Sequence, residues 1–255
     1  MPFATAAGRR LAYEWLGEAG AGQPRLVFLH EGLGSIRQWR DFPEKVAAAT
    51  GGRALVYDRY GYGQSDVLQE PRRSVRFMHD EALQALPELL ASLGVEPPFL
   101  IGHSDGASIA LIHAGAGHAV RGVVAMAPHV FIEPLCLTSI ANATHAFEST
   151  DLAQRLGRHH RDARRTFYGW ADVWLDPDFK GWDIRDDYLP HIRCPVLAIQ
   201  GYDDEYGTMA QLDELARRVE SPWELLKLED CGHAPFRQQP EKTLEAVVRF
   251  VTGRT

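Results

Sequence analysis

Cysteine is scarce in this sequence: Cys136, Cys194 and Cys231 are the only three, widely spaced and without a C-x-x-C pair. So sparse and odd a set offers neither a disulfide framework nor a zinc site, and buried, reduced thiols without a metal are expected. No apolar run reaches the length of a membrane span. The opening "MPFATAAGRRLAYEWLG" lacks the basic start and apolar core of a secretory signal. Both absences favour a cytoplasmic protein with no membrane partner. Positive charge is also in deficit, 27 Lys and Arg against 34 Asp and Glu, for a formal net charge of −7. That disfavours nucleic acid or an anionic membrane as the main partner and leaves room for a local basic patch that binds one small anion.

What is present is the composition of an ordinary globular protein, 45% hydrophobic and 24% charged over 255 residues. This length suits one large α/β domain, or a core domain with an insertion. After a pair of expected edge strands around Phe3 to Leu16, short apolar runs recur at "RLVFLH", "ALVYD", "FLIGH", "VRGVVAMA", "PVLAIQG" and "ELLKL". Each is bounded by turn residues and has the form of a buried strand. Between them lie patterns of helical period such as "HDEALQALPELLASLG", in which Pro87 is expected to kink or delay the helix. Strands alternating with helices predict a mostly parallel sheet flanked by helices, with ligand chemistry at the carboxyl ends of the strands.

The alternation breaks between residues 129 and 191. No buried strand is expected there, only helical stretches rich in aromatics, among them Phe147, Phe167, Trp170, Trp174 and Trp182. A core of residues 1–128 and 192–255 with a helical lid at 129–191 is the expected organisation. The alternative is a helical subdomain whose aromatics pack only against one another.

The chemistry gathers in "LIGHSDGAS", where Gly102-His103-Ser104-Asp105-Gly106 stands between a strand and a helix. This is G-x-S-x-G in the strand–turn–helix setting that exposes a serine nucleophile. A serine hydroxyl needs a base and a group to orient that base. "QGYDDEYG" supplies acids after one strand, and "DCGHAP" supplies His233 after the next. Asp203 and Asp204 compete for the orienting role.

With "HEGLGS", "DRYGYGQS", "GHSDG", "GYDDEYG" and "CGHAP" in this order, the chain resembles the α/β-hydrolase superfamily along essentially its whole length. The resemblance implies the α/β-hydrolase fold and a Ser104–Asp204–His233 triad, Asp204 being three residues past the glycine that ends its strand. It implies an oxyanion hole from the backbone N–H of Asp105 and of Gly32, or of Leu33 in place of Gly32, and no cofactor. Asp58, in the "DRYGYGQS" turn, would be structural, and His103 a packing or hydrogen-bonding residue. Expected substrate contacts are Glu31, Leu33, His129, Trp170, Trp174 and Phe236.

An aromatic lid favours an ester or thioester with an apolar or aromatic acyl part, cleaved through an acyl-enzyme, with a small molecule as the only partner of a monomer or homodimer. A carbon–carbon bond hydrolase of ring-opened aromatic products and a lactone hydrolase share the chemistry, although "APFRQQP" after His233 lacks the tryptophan common in the former. A small-molecule receptor on the same scaffold is the reading from a different class. The arginines of "RLGRHHRDARR" form a solvated face relieved by Asp151 and Asp162, or else one or two of them meet a carboxylate or a phosphate-bearing acyl carrier. Glu31 stands where the family commonly has glycine. A carboxylate aimed at an oxyanion would oppose catalysis, so Glu31 is expected to point away, tied by hydrogen bonds or by Arg59 or Arg37. The alternative is that it faces the pocket.

Overall fold

The computed structural model describes residues 1–18, 20, 22–95 and 97–254. Eight strands form one sheet: β1 (Phe3–Ala6), β2 (Arg9–Leu16), β3 (Arg25–Leu29), β4 (Arg53–Tyr57), β5 (Phe99–His103), β6 (Gly122–Met126), β7 (Val196–Gly201) and β8 (Trp223–Leu228). Their order across the sheet is β1-β2-β4-β3-β5-β6-β7-β8. The β1–β2 and β2–β4 pairings are antiparallel, and every other pairing is parallel. The expected edge pair and mostly parallel sheet are both found. The last strand departs from expectation: β8 is an edge strand, largely half-buried or exposed, because it has a neighbour on one side only.

Strand periodicity divides the core. Leu26 and Phe28 of β3, Phe99 and Ile101 of β5, and Leu197 and Ile199 of β7 face one hydrophobic cluster. Their alternates Val27, Leu29, Leu100, Val196 and Ala198 face the other, as successive side chains on a strand must. Helices α1 (Phe42–Thr50) and α10 (Pro240–Thr252) cover the first face. The second is covered by α2 (Phe77–Asp80), α3 (Leu86–Leu93), α4 (Asp105–Gly115) and α8 (Ala210–Arg218). Helix α4 is buried along its whole length, which its apolar and small residues permit.

Pro87 has the effect anticipated for it. Between α2 and α3 the ladder widens into a π-helical turn, Glu81–Ala85, and α3 restarts with the proline in its first turn. Proline has no N–H to give to the carbonyl one turn back, so the hydrogen-bond register shifts just before it.

Between β6 and β7 run α5 (Pro134–Ser149), α6 (Leu152–Leu156) and α7 (Ala163–Trp174), followed by short 3-10 turns. Their buried aromatics Phe147, Phe167, Trp170, Trp174 and Phe179 belong to the same continuous cluster as Leu100 and Ile109 of the sheet and α4. They do not form a separate small core. Helix α9 (Pro235–Gln238) follows the last sheet strand. The loops leaving β3, β5, β6, β7 and β8 at their carboxyl ends carry Glu31, Ser104, His129, Asp204 and His233 to one side of the sheet.

Candidate active site

Ser104 sits between β5 and α4 with φ 53° and ψ −121°, a conformation that side-chain-bearing residues rarely adopt. It is 6% exposed, and its N–H is tied to the Met126 carbonyl at 2.9 Å. The turn closes only because its flanking residues are glycines. A Cβ on Gly106 would stand 2.0 Å from the Leu29 carbonyl oxygen, and one on Gly102 2.3 Å from that of Gly106. The strain at Ser104 is held by packing on both sides. Among the described residues the Asp105 N–H, in the first turn of α4, donates to no protein acceptor.

The turn after β3 is fixed through one carbonyl. Glu31 O accepts from His30 Nδ1 at 2.8 Å, Arg59 Nη2 at 2.9 Å and Gly34 N at 3.0 Å. In a trans peptide C=O and N–H point in opposite directions, so anchoring this oxygen aims the Gly32 N–H the other way. Gly32 lines the same cavity as Ser104, and among the described residues its N–H has no protein acceptor. Glycine is required here by close approach: an added Cβ would lie 2.1 Å from Trp170 Nε1.

His233 Nδ1 donates to Asp204 Oδ1 at 2.8 Å, with Oδ2 at 3.0 Å. Asp204 is further oriented by the N–H groups of Tyr206 and Gly207 and by Gln200 Nε2. Asp203, the rival acid, is exposed and does not reach His233. Burial opposes a charge on either partner, but the attraction and hydrogen bond between them outweigh it. Asp204 is thus held below the ordinary carboxyl range and His233 above the ordinary imidazole value.

Glu31 differs from expectation in its partners. Its Oε2 lies 3.4 Å from His103 Nδ1 and its Oε1 3.5 Å from Arg237 Nη2, whereas Arg59 holds only its backbone carbonyl and Arg37 does not pair with it. Its φ is not positive, so a non-glycine residue is accommodated without strain. Burial raises its carboxyl pKa, but His103 and Arg237 overcome this and keep it well below the usual range. His103 also donates from Nε2 to the His233 carbonyl at 2.6 Å, joining the nucleophile turn to the histidine loop.

These groups surround a cavity of about 260 Å³ lined by Ser104, Asp105 and His233. Of the residues singled out as substrate contacts, Glu31, Leu33, His129, Trp170 and Trp174 line it. Phe236 does not. It is 4% exposed and packs on Trp39, Phe42 and His103, since α9 turns its ring into the core and leaves the neighbouring Arg237 at the cavity. Cys136, Ile140, Glu205, Tyr206, Arg237 and Gln238 line the cavity without having been singled out. Only Glu205 and Tyr206, inside "GYDDEYG", carried a signal, being next to the acid. His129 is kept neutral, its imidazole pushed down to about 3 chiefly by burial. Asp58 is structural: its two oxygens accept from Ile36 N and Gln64 N, both at 2.7 Å.

The arginines of α6 and of the segment after it do not act as one face. Arg155 pairs with Asp151, Arg165 with Asp162 and the Leu68 carbonyl, and Arg164 stacks on Tyr168. All three cysteines are free and buried. Among the described residues no group of three or more His, Cys, Asp or Glu is placed to hold a metal ion, and no helix is long and apolar enough to cross a membrane.

Comparison with known proteins agrees with this geometry. The chain is 24% identical to a proline iminopeptidase of Lactobacillus crispatus (strain ST1), over 98% of its own length and 96% of the relative's. It is 25% identical to a pimeloyl-[acyl-carrier protein] methyl ester esterase of Aeromonas hydrophila subsp. hydrophila, with 89% and 95% covered. The solved structure of the enol-lactonase from Burkholderia xenovorans LB400 superposes with a TM-score of 0.75 at 21% identity, covering 98% of this chain and all of that one. The sequence pattern described as the Alpha/beta hydrolase family matches residues 26–246, and the protein therefore belongs to that family and is a hydrolase by descent.

Proposed function

We propose that this hydrolase cleaves an ester or thioester of a small, apolar or aromatic acyl group through an acyl-enzyme on Ser104. The observation that carries the reading is that His233, held by the buried Asp204, lines the same cavity as a serine at positive φ. Ser104 Oγ attacks the carbonyl carbon, His233 takes the hydroxyl proton and returns it to the leaving group, and Asp204 fixes the imidazole tautomer. The N–H groups of Asp105 and Gly32 receive the oxyanion, assisted by the dipole of α4. Water, activated by the same imidazole, then releases the acid. Trp170, Trp174, Ile140 and Cys136 supply an apolar wall for the acyl part, and residues 129–191 act as a lid on the core.

A second reading is hydrolysis of an amide, as the name of the iminopeptidase relatives suggests. The exposed Glu205 carboxylate favours it, since it lines the cavity and offers a partner to a substrate's charged amine. The deciding experiment measures turnover of a panel of p-nitrophenyl esters, acyl thioesters, lactones, dienone acids and a proline arylamide by wild type and Ser104→Ala. Multiple turnover on esters or thioesters, lost in Ser104→Ala, is expected. Turnover confined to the arylamide would transfer the assignment to the second reading, and binding without turnover would indicate a receptor.

A further inference from the structure

Three arginines from different parts of the chain lie around His159, and one of them, Arg237, lines the cavity. Arg37 lies in the 3-10 turn Ile36–Trp39, Arg158 follows α6, and Arg237 lies in α9. Hydrogen bonds around Leu33, itself a cavity residue, bring together the segments that carry them. The Leu33 carbonyl accepts from Gln38 Nε2 and from His160 Nε2, each at 3.0 Å, and Arg237 Nη2 donates to the Gln38 carbonyl at 2.7 Å. Arg37 is thereby next to one anchored residue and His159 next to another, with Arg158 one further on. The common field is felt at His159, whose imidazole is lowered first by burial and then by Arg37, Arg237 and Arg158.

The charge of this cluster is mostly unanswered. Among the described residues the exposed side chains of Arg37 and Arg158 have no hydrogen-bond or ion-pair partner. Arg237 meets Glu31 at 3.5 Å, but that carboxylate is shared with His103, and Arg237 Nε and His159 Nδ1 are buried without partners. Of the other two acids lining the cavity, Glu205 accepts from the His233 N–H and Asp105 lies 3.9 Å from Arg59. In a chain with a net charge of −7, three guanidinium groups that share Glu31 and, at Arg37, the field of the buried Asp58 still outnumber the carboxylates about them, a local reversal of sign.

From this we infer that Arg37, Arg158 and Arg237 form a binding site for an anionic group, a carboxylate or a phosphate, carried on the part of the substrate that stays outside the cavity. Guanidinium groups suit both, since their paired N–H donors match two oxygens of either anion. The inference rests on the proposed ester or thioester hydrolysis and narrows it to anionic substrates. The arginine run near Arg158 contributes one member only; the other two come from the core.

The test compares kcat/KM for three substrates with the same acyl group and different leaving groups, a carboxyalkyl ester, a coenzyme A thioester and a neutral alkyl ester, in wild type and in Arg37→Gln/Arg158→Gln. The expected result is that the anionic-to-neutral ratio falls about tenfold in the variant, with a steeper salt dependence in wild type. A loss confined to the carboxylate ester identifies a carboxylate site, and one confined to the thioester a phosphate site. The charge-reversed Arg37→Glu/Arg158→Glu should lower the ratio further. An unchanged ratio in both variants overturns the inference. Should no ester be hydrolysed, titration of Ser104→Ala with coenzyme A and with glutarate still decides the point: arginine-dependent binding upholds the anion site while the hydrolytic reading fails, and equal binding with and without the arginines rejects it.

Discussion

Glu31 Oε2 lies 3.4 Å from Nδ1 of His103, the residue immediately before Ser104. The carboxylate that seemed misplaced beside an oxyanion hole is turned toward a histidine and Arg237, and its own backbone carbonyl is the anchor of the turn. A negative group is tolerated there because two cationic or donating partners hold it off the Gly32 N–H.

Glu31→Gln should therefore cost stability more than turnover. Loss of the charge weakens the bonds to His103 and Arg237 by about 1–2 kcal/mol, read as a lower urea midpoint at pH 7, with kcat within about threefold of wild type. Because the folded carboxyl pKa is depressed, its contribution is present above the ordinary value of 4.5 and is lost as pH falls below it. Wild type and variant should converge in acid. A large loss of kcat at unchanged stability would mean that Glu31 acts on the substrate.

The Asp204–His233 pair sets a pH dependence. General base catalysis needs the neutral imidazole, and Asp204 raises His233 above its ordinary 6.5. The acidic limb of kcat/KM should therefore lie above pH 6.5. Asp204→Asn should move that limb down and lower kcat by about 10³–10⁴, whereas Asp203→Asn, at an exposed position, should leave both unchanged. Equal effects of the two substitutions would sink the assignment.

Gly32→Ala places a methyl group in contact with the Trp170 indole, at a Cβ to Nε1 separation of 2.1 Å before relaxation. Either the indole or the oxyanion turn must move, and kcat should fall by about 10–100-fold. Adding Trp170→Phe should restore part of it. Failure of the second substitution to help would place the damage in the turn itself.

Phe236→Ala tests a correction. The ring packs among Trp39, Phe42 and His103 and does not line the cavity, so its removal should cost about 3–5 kcal/mol of stability. KM for a short ester should change little, as measured on the fraction that remains folded. A selective rise in KM would return Phe236 to the substrate.

Much was legible in the chain alone, for identifiable reasons. The sheet strands are apolar runs punctuated by turn residues, and the nucleophile turn needs glycines at two fixed offsets where backbones pass within contact. The choice of acid turned on a one-residue offset, and in the fold Asp204 is buried against His233 while Asp203 is exposed. Pro87 announced its own irregularity, because the missing N–H is a local fact.

What the sequence by itself determined was therefore what depends on near neighbours: strand and helix periodicity, the strained serine turn, and the order of serine, acid and histidine. Tertiary structure decided what depends on residues distant in the chain. The partner of Glu31 is Arg237, more than 200 residues away, rather than a nearby arginine. The side chain that α9 turns toward the cavity is Arg237 and not Phe236, because Trp39 and Phe42 offer that ring a core to fill. And the run that holds Arg158 is brought beside the turn that holds Arg37 by hydrogen bonds from His160 and Gln38 to the Leu33 carbonyl. Charges find partners in space rather than along the chain, and no pattern of spacing records where a folded surface brings them together.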